Sequence, residues 1–426
     1  MKKYTVAIIG AGSRGLGYAE HMLSLPEKFQ VVAVAEPQEH RREYMRKLWA
    51  IPEENCVSSW KELLSRPKLA DVAVIATMDD MHYEPAMEAI SQGYDLLLEK
   101  PAAQTAQECI DLARAAKEHG VKALVCHVLR YSPFFRRVKE LVMEGTLGRI
   151  MSLIQVEAVG NIHQSHSYVR GDWHKEVETT PMLLAKCCHD IDIIQWLLDE
   201  PCKKVSSFGE LSWFRPENAP AGAPERCVGN DCPAAETCPY KSEKVYLESE
   251  KSAWMRRALG RGFAKEFVPT LEEARKALEH TNFGACVYRA GNDVVDHQVV
   301  NLEFAGGATA SLTMNAFNEG GRYIRIFGTL GELYANASDT EITVYTFADD
   351  KRRRYPVTET EESITGGHGG GDQGIVAELY EYLSGNYTGF CAADIETSVK
   401  NHLIGFAAEE ARLTDRVIHM ADYLKI

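Results

Sequence analysis

Apolar residues follow two patterns along this chain. Over roughly the first 130 residues, short continuous apolar runs alternate with longer stretches whose apolar positions recur every three to four residues. The runs at 4–9, 31–36, 71–76, 95–99 and 122–126 predict strands buried on both faces. Helices are predicted between them at about 14–24, 39–49, 83–92 and 105–119. Buried strands separated by amphipathic helices make a parallel, doubly wound sheet. Ligands of such sheets bind outside the carboxyl ends of the strands, which singles out Thr77, Glu99, Lys100, Pro101 and His127. After a short helix at 133–144 the pattern changes. Strand-like stretches at 150–159, 204–213, 296–304, 308–315, 322–327 and 341–347 follow with few helices between them, and 299–304 with 308–312 reads as a hairpin. This half predicts an α+β unit on a large, mostly antiparallel sheet. One helix is expected over 181–198 and another over 393–414, while 214–285 has little periodicity and predicts an irregular excursion.

The first run ends in Gly10-Ala11-Gly12-Ser13-Arg14-Gly15, a Gly-x-Gly-x-x-Gly turn from strand to helix. Gly10 suits the tight turn, Gly12 the approach of a pyrophosphate, and Gly15 the close packing of helix on strand. The second run ends on Glu36, at the spacing of a ribose-binding acid. Together these predict a Rossmann dinucleotide-binding domain over residues 1–128 and a substrate-binding domain over 129–426. A carboxylate at Glu36 favours NAD and disfavours the 2′-phosphate of NADP; Arg41 and Arg42 nearby keep NADP as the second choice.

With 426 residues, two domains are the default. A net charge of −14 argues against nucleic acid or an anionic membrane as the main partner. No apolar stretch reaches membrane-spanning length and the first strand starts at Tyr4, so a cytoplasmic protein is expected. Most of the eleven cysteines, such as Cys109, Cys126 and Cys391, read as buried core thiols. Cys227, Cys232 and Cys238 differ, since they sit close together in the excursion. With Cys286, or alternatively Cys202, they make a candidate structural zinc site of four cysteines; free thiols are the competing reading.

The glycine turn, Ala76-Thr77 followed by His82, Glu99-Lys100-Pro101 and Cys188-His189-Asp190-Ile191-Asp192 together resemble the Gfo/Idh/MocA oxidoreductases over nearly the whole chain. The resemblance implies a nicotinamide-dependent enzyme acting on a hydroxyl of a sugar, cyclitol or glycoside. It adds Ser13, Arg14, Thr77, His82, Glu99 and Lys100 to the glycines and Glu36 as cofactor residues. Lys100 would donate a hydrogen bond to the reacting oxygen, and His189 would be the base, its ordinary pKa suiting proton transfer near neutrality. Asp192, one turn on, is a candidate to orient it. Family members generally carry an Asp four residues before this histidine; here that position is Ala185, with Lys186 beside it. Lys186 is thus either a third catalytic group on the face of His189 or an exposed helix residue. Arg130, Tyr131, His163, Trp173, His297 and His368 are candidate sugar contacts, with His166, His174 and Asp372 near them. Cys187 and Cys188 are expected to pack. Net dehydrogenation is the first expectation. The alternative is a redox-neutral, NAD-dependent glycoside hydrolase: oxidation, elimination, hydration and re-reduction. A non-enzymatic dinucleotide sensor is disfavoured by Lys100 and His189. A homo-oligomer, dimer or tetramer, is implied by the resemblance alone.

Overall fold

In a computed structural model the chain is described over residues 2–229, 231–248, 253–259, 268–357 and 367–423. The first sheet comprises β1 Tyr4–Ile9, β2 Phe29–Ala35, β3 Cys56–Val57, β4 Val72–Ile75, β5 Asp95–Leu98 and β6 Ala123–Val125. All pairs are parallel, in the order β3-β2-β1-β4-β5-β6. Strand order reverses between β1 and β4, so the ligand crevice opens there, between the loop after β1 and the loop after β4. The helix Ala106–His119 shows why local sequence and structure agree. Thr105 and Glu108 form a reciprocal capping box, and Gly120 ends the helix in the left-handed conformation.

The glycines do separate steric work. Gly10 has φ +88°, and a Cβ there would lie 2.5 Å from the Ala76 carbonyl oxygen. A Cβ on Gly15 would lie 2.0 Å from the Gly10 carbonyl oxygen. At Gly12 it would meet only Arg41 Nη1, at 3.6 Å. Two glycines therefore close the turn and the third leaves a cradle open.

The second sheet is built from β7 Ile150–Ala158, β8 Cys202–Glu210, β9 His297–Phe304, β10 Thr309–Asn315, β11 Gly321–Gly328, β12 Gly331–Asn336, β13 Glu341–Thr346, β14 Lys351–Pro356 and β15 Ile418–His419. Its order is β14-β13-β12-β11-β7-β10-β9-β8-β15. Among the described residues of this sheet, only β7 and β10 pair in parallel. The helices Cys188–Leu198 and Ile395–Thr414 cover one face. The latter also packs on Ala106–His119, and the Val125 N–H donates to the Ala393 carbonyl at 3.0 Å, so the returning chain covers the edge of β6. One apolar core runs from Val6 to Met420 across both sheets. Among the described residues no helix is long and apolar enough to cross a membrane.

Two expectations need correction. The helix expected over 181–198 is two, Met182–Ala185 and Cys188–Leu198, interrupted at Lys186 and Cys187. The excursion is not wholly irregular: Ala253–Leu259 and Leu271–His280 are helical, with a small core of Val245, Tyr246, Met255, Leu259, Ala274 and Leu278. The glycine stretch after residue 366 runs directly into a helix, Gly371–Ser384.

Gly15→Ala is expected to lower unfolding free energy by about 1–3 kcal/mol, because the turn must move to admit the methyl group. Gly12→Ala should stay within about 0.5 kcal/mol of the parent. Urea unfolding of the two variants side by side checks this contrast.

Candidate active site

The glycine turn hands directly into the helix Ser13–Leu23, whose N-cap, Gly12, offers no side-chain cap and whose first turn carries no acid. Its first N–H groups therefore point into the crevice, as an anionic pyrophosphate requires. Glu36 is buried at the end of β2. Its carboxylate accepts the Ala11 N–H at 2.8 Å and the Gln38 N–H at 2.9 Å. The residues fit a dinucleotide: an open position at Gly12, unsatisfied helix donors, and an acid beside the turn.

The loops after β4 and β5 are tied together by His82, whose ring contacts the Pro101 carbonyl at 2.6 Å and the Thr77 carbonyl at 3.2 Å. Glu99 accepts Arg14 Nε and the Tyr18 hydroxyl, each at 2.6 Å, and the Lys100 N–H at 3.0 Å. Burial would raise this carboxyl, but Arg14 and Lys100, with the Tyr18 hydroxyl, outweigh it and hold it at about 2. Arg14 also donates to both oxygens of Asp372, at 2.8 Å each. The guanidinium expected at the cofactor is therefore tied to carboxylates on either side.

Lys100 reaches across the crevice. Its Nζ donates to the Ala185 carbonyl at 3.0 Å, at the break between the two short helices. His189 lies just beyond that break, buried, with its ring 6.2 Å from that of His127. Asp79, which sequence reasoning passed over, is buried in the loop after β4, where Trp173 Nε1 donates to it at 3.1 Å and Thr180 Oγ1 at 3.4 Å. Burial raises its carboxyl, opposed by Lys100 and His82 nearby. The available signal was its place two residues after Thr77 at a strand's carboxyl end.

Lys186 is not an exposed helix residue. It is largely buried, 3.6 Å from Glu157 on β7, and Glu157 in turn binds Arg322 on β11 at 2.6 Å. Arg322 Nε donates to Asp190 at 3.0 Å, and Gln155 Nε2 donates to Asp190 at 2.8 Å. Burial lowers the Lys186 ammonium below the usual lysine range against the pull of Glu157. His163 stands close by; burial, then Lys186, lowers its pKa to about 2.

The remaining candidates divide. Trp173 reaches the crevice through Asp79. Arg130 is turned inward, bidentate to Asp192 at 2.7 Å on both arms, with Asn401 donating to the same acid at 2.6 Å. Asp192 is thus the acid that holds the Arg130 guanidinium. Tyr131 is buried on the same turn. His297 pairs with Asp296 at 2.8 Å, and Asp296 also caps the Ser212 and Trp213 N–H groups. The His368 side chain lies outside the described residues. Cys187 and Cys188 are buried, and Cys227, Cys232, Cys238 and Cys286 line one cavity in the excursion. Among the described residues no three His, Cys, Asp or Glu side chains stand as a ready metal site.

Two family models match the chain. An oxidoreductase family with an NAD-binding Rossmann fold matches residues 4–127, and its C-terminal alpha/beta domain matches residues 139–418. The chain belongs to the Gfo/Idh/MocA oxidoreductase family. YteT of Bacillus subtilis, named an oxidoreductase, is 26% identical over 328 residues, covering 74% of this chain and 73% of YteT. A 2,7-anhydro-N-acetylneuraminate hydratase of Escherichia coli is 28% identical over 47% of this chain and 51% of its own. An oxidoreductase of Agrobacterium radiobacter, solved with NAD+, L-tartaric acid and magnesium, superposes with a TM-score of 0.68 at 13% identity, over 99% of both chains. This family member is thus an NAD-binding enzyme of two domains, a Rossmann unit and an alpha/beta unit with a large, mostly antiparallel sheet.

Buried histidines make its stability depend on pH. His402 accepts the Ala102 N–H at 3.0 Å on Nε2, while Nδ1 faces the Ser398 carbonyl at 2.7 Å, an arrangement that needs the neutral ring. Burial, with His127 next to it, puts His402 at about 3, and burial puts His166 at about 4. These folded values, like that of His163, lie below the unfolded value, so the unfolded state binds more protons as pH falls through about 6.5. The stabilisation is complete above that pH and is lost below it, at about 1.4 kcal/mol per pH unit for each ring. Urea unfolding at pH 7, 6 and 5 should show this slope; an unchanged free energy would refute it.

Proposed function

We propose that this chain is an NAD-dependent enzyme acting on a hydroxyl of a sugar, cyclitol or glycoside, with Lys100 and His189 at the reacting oxygen. The observation that carries the reading is the Lys100 contact with the Ala185 carbonyl. It brings the lysine at the end of β5 to the break just before the histidine helix of the other unit, beside the switch point of the parallel sheet. NAD held at the glycine turn supplies a hydride acceptor. Lys100 exchanges its carbonyl partner for the substrate oxygen and polarises it, and His189 takes and returns the hydroxyl proton. Trp173 and Asp79 offer a ring edge and a carboxyl to sugar hydroxyls. Glu36 supports NAD over NADP, since a buried acid repels a 2′-phosphate.

A second reading has a specific observation behind it: two relatives, of Escherichia coli and Mediterraneibacter gnavus, are named 2,7-anhydro-N-acetylneuraminate hydratases. In the redox-neutral course, oxidation to a ketone acidifies the adjacent C–H. That proton then leaves with a neighbouring C–O bond, water adds, and the ketone is reduced again. Aryl glycosides separate the two readings. Aglycone release without accumulating NADH supports the redox-neutral course, and stoichiometric NADH without bond cleavage supports the dehydrogenase. In either case Lys100→Ala should lower kcat/KM by about 100-fold or more, and full retention of turnover would remove Lys100 from the site.

The open face of the nine-stranded sheet exposes Ile154, Phe208, Tyr323 and Tyr334. These support self-association through that face. Sedimentation analysis should show a dimer or larger, and Phe208→Glu with Tyr334→Glu should shift it toward monomer.

A further inference from the structure

The reaction makes no use of a second cluster of reactive side chains, in the excursion between β8 and β9. Cys227, Cys232, Cys238 and Cys286 line a single cavity of about 20 Å³, enough for one small ion or water. Backbone pairing brings the first and last of them together. The Cys227 N–H donates to the Gly284 carbonyl at 2.7 Å and the Cys286 N–H to the Glu225 carbonyl at 2.9 Å, around a bridge between Arg226 and Ala285. Cys232 and Cys238 flank one turn, in which the Ala235 N–H donates to the Cys232 carbonyl at 3.0 Å and the Cys238 N–H to the Ala234 carbonyl at 2.8 Å. The Ser242 N–H points at Cys227 Sγ from 3.3 Å.

Arg170 is the independent observation. Its guanidinium is fully buried and lines the same cavity. Nε donates to the Ala285 carbonyl and Nη2 to the Tyr240 carbonyl, each at 2.8 Å, whereas Nη1 has no hydrogen-bond partner of normal geometry. Among the described residues no carboxylate forms an ion pair with it. A buried cation beside carbonyls, thiols and the Tyr246 ring, with no carboxylate to balance it, is costly. Neutral thiols would not relieve that cost, but a zinc ion held by four thiolates carries two net negative charges and would.

We propose that Cys227, Cys232, Cys238 and Cys286 hold a structural Zn²⁺, with Arg170 as the charge partner behind it. The thiols line the cavity without converging on one point, and the ion draws each sulfur to about 2.3 Å. Four S–H bonds give way to four Zn–S bonds and four protons pass to solvent. The centre ties the excursion to the segment 164–170, which leads directly to Trp173 at the crevice. It is thus a brace for the crevice wall and takes no part in the reaction.

The test is elemental analysis of the full chain, expressed with added zinc and purified without chelators. About one zinc per chain is expected, released in step with modification of four thiols by a mercurial. Cobalt in its place should show the thiolate charge-transfer absorption of a tetrahedral site. Cys232→Ser and Cys238→Ser should each lower zinc content about fivefold or more. A folded parent chain with less than about 0.1 zinc per chain, or with iron and sulfide instead, overturns the proposal. So does full zinc retention in both variants. If the variants fail to fold, release on thiol modification of the parent decides, and zinc that stays bound counts against the site.

Discussion

The buried Glu99 carboxylate is the contact on which the site depends. It accepts from Arg14 in the glycine helix, from Tyr18 one turn further on and from the backbone of Lys100. Arg14 extends this tie to Asp372 at the start of the helix Gly371–Ser384. One desolvated acid thus fixes the nucleotide turn, the strand end that carries the lysine, and the chain returning from the second unit. A buried charge held by several donors tolerates little movement, because removing a partner leaves an uncompensated ion, at a cost of about 3–5 kcal/mol. That rigidity is what lets Lys100 span the crevice to a single carbonyl.

The carbonyl it finds exists because the helix expected over 181–198 is broken. With the helix stopping at Ala185 and restarting at Cys188, the Ala185 oxygen is turned to Lys100. Where the family resemblance implies an acid, this chain presents a backbone oxygen and a methyl group. The carboxyl nearest in function is Asp79, on a different loop and facing Trp173. Burial raises the Asp79 carboxyl against the pull of Lys100 and His82. In the proposed reaction, proton transfer falls on His189.

The parallel sheet was legible because its strands are buried on both faces and read as unbroken apolar runs. The glycine turn was legible because each glycine answers a local steric demand. Most of what escaped had no local pattern. β14 reads Lys351-Arg352-Arg353-Arg354, a charged edge strand with no apolar alternation, since an edge is protected by charge and not by burial. The helix Leu271–His280 did carry a signal, the Thr270/Glu273 capping box, hidden by the irregular composition around it. Pairings such as Arg14 with Asp372, 358 positions apart, and Arg130 with Asp192, 62 apart, leave no trace in spacing. For that reason Arg130 looked like a substrate residue.

The acids around His189 were legible as residues but not as roles. Asp190 and Asp192 lie about 200° apart around a helix that advances about 100° per residue. Asp190 is held on the sheet side by Gln155 and Arg322, and Asp192 on the other side by Arg130 and Asn401. Both carboxylates are fully buried. Pinned from two sides, the helix cannot roll, and the direction of the His189 side chain follows from that setting. The acids orient the helix, and through it the ring of His189.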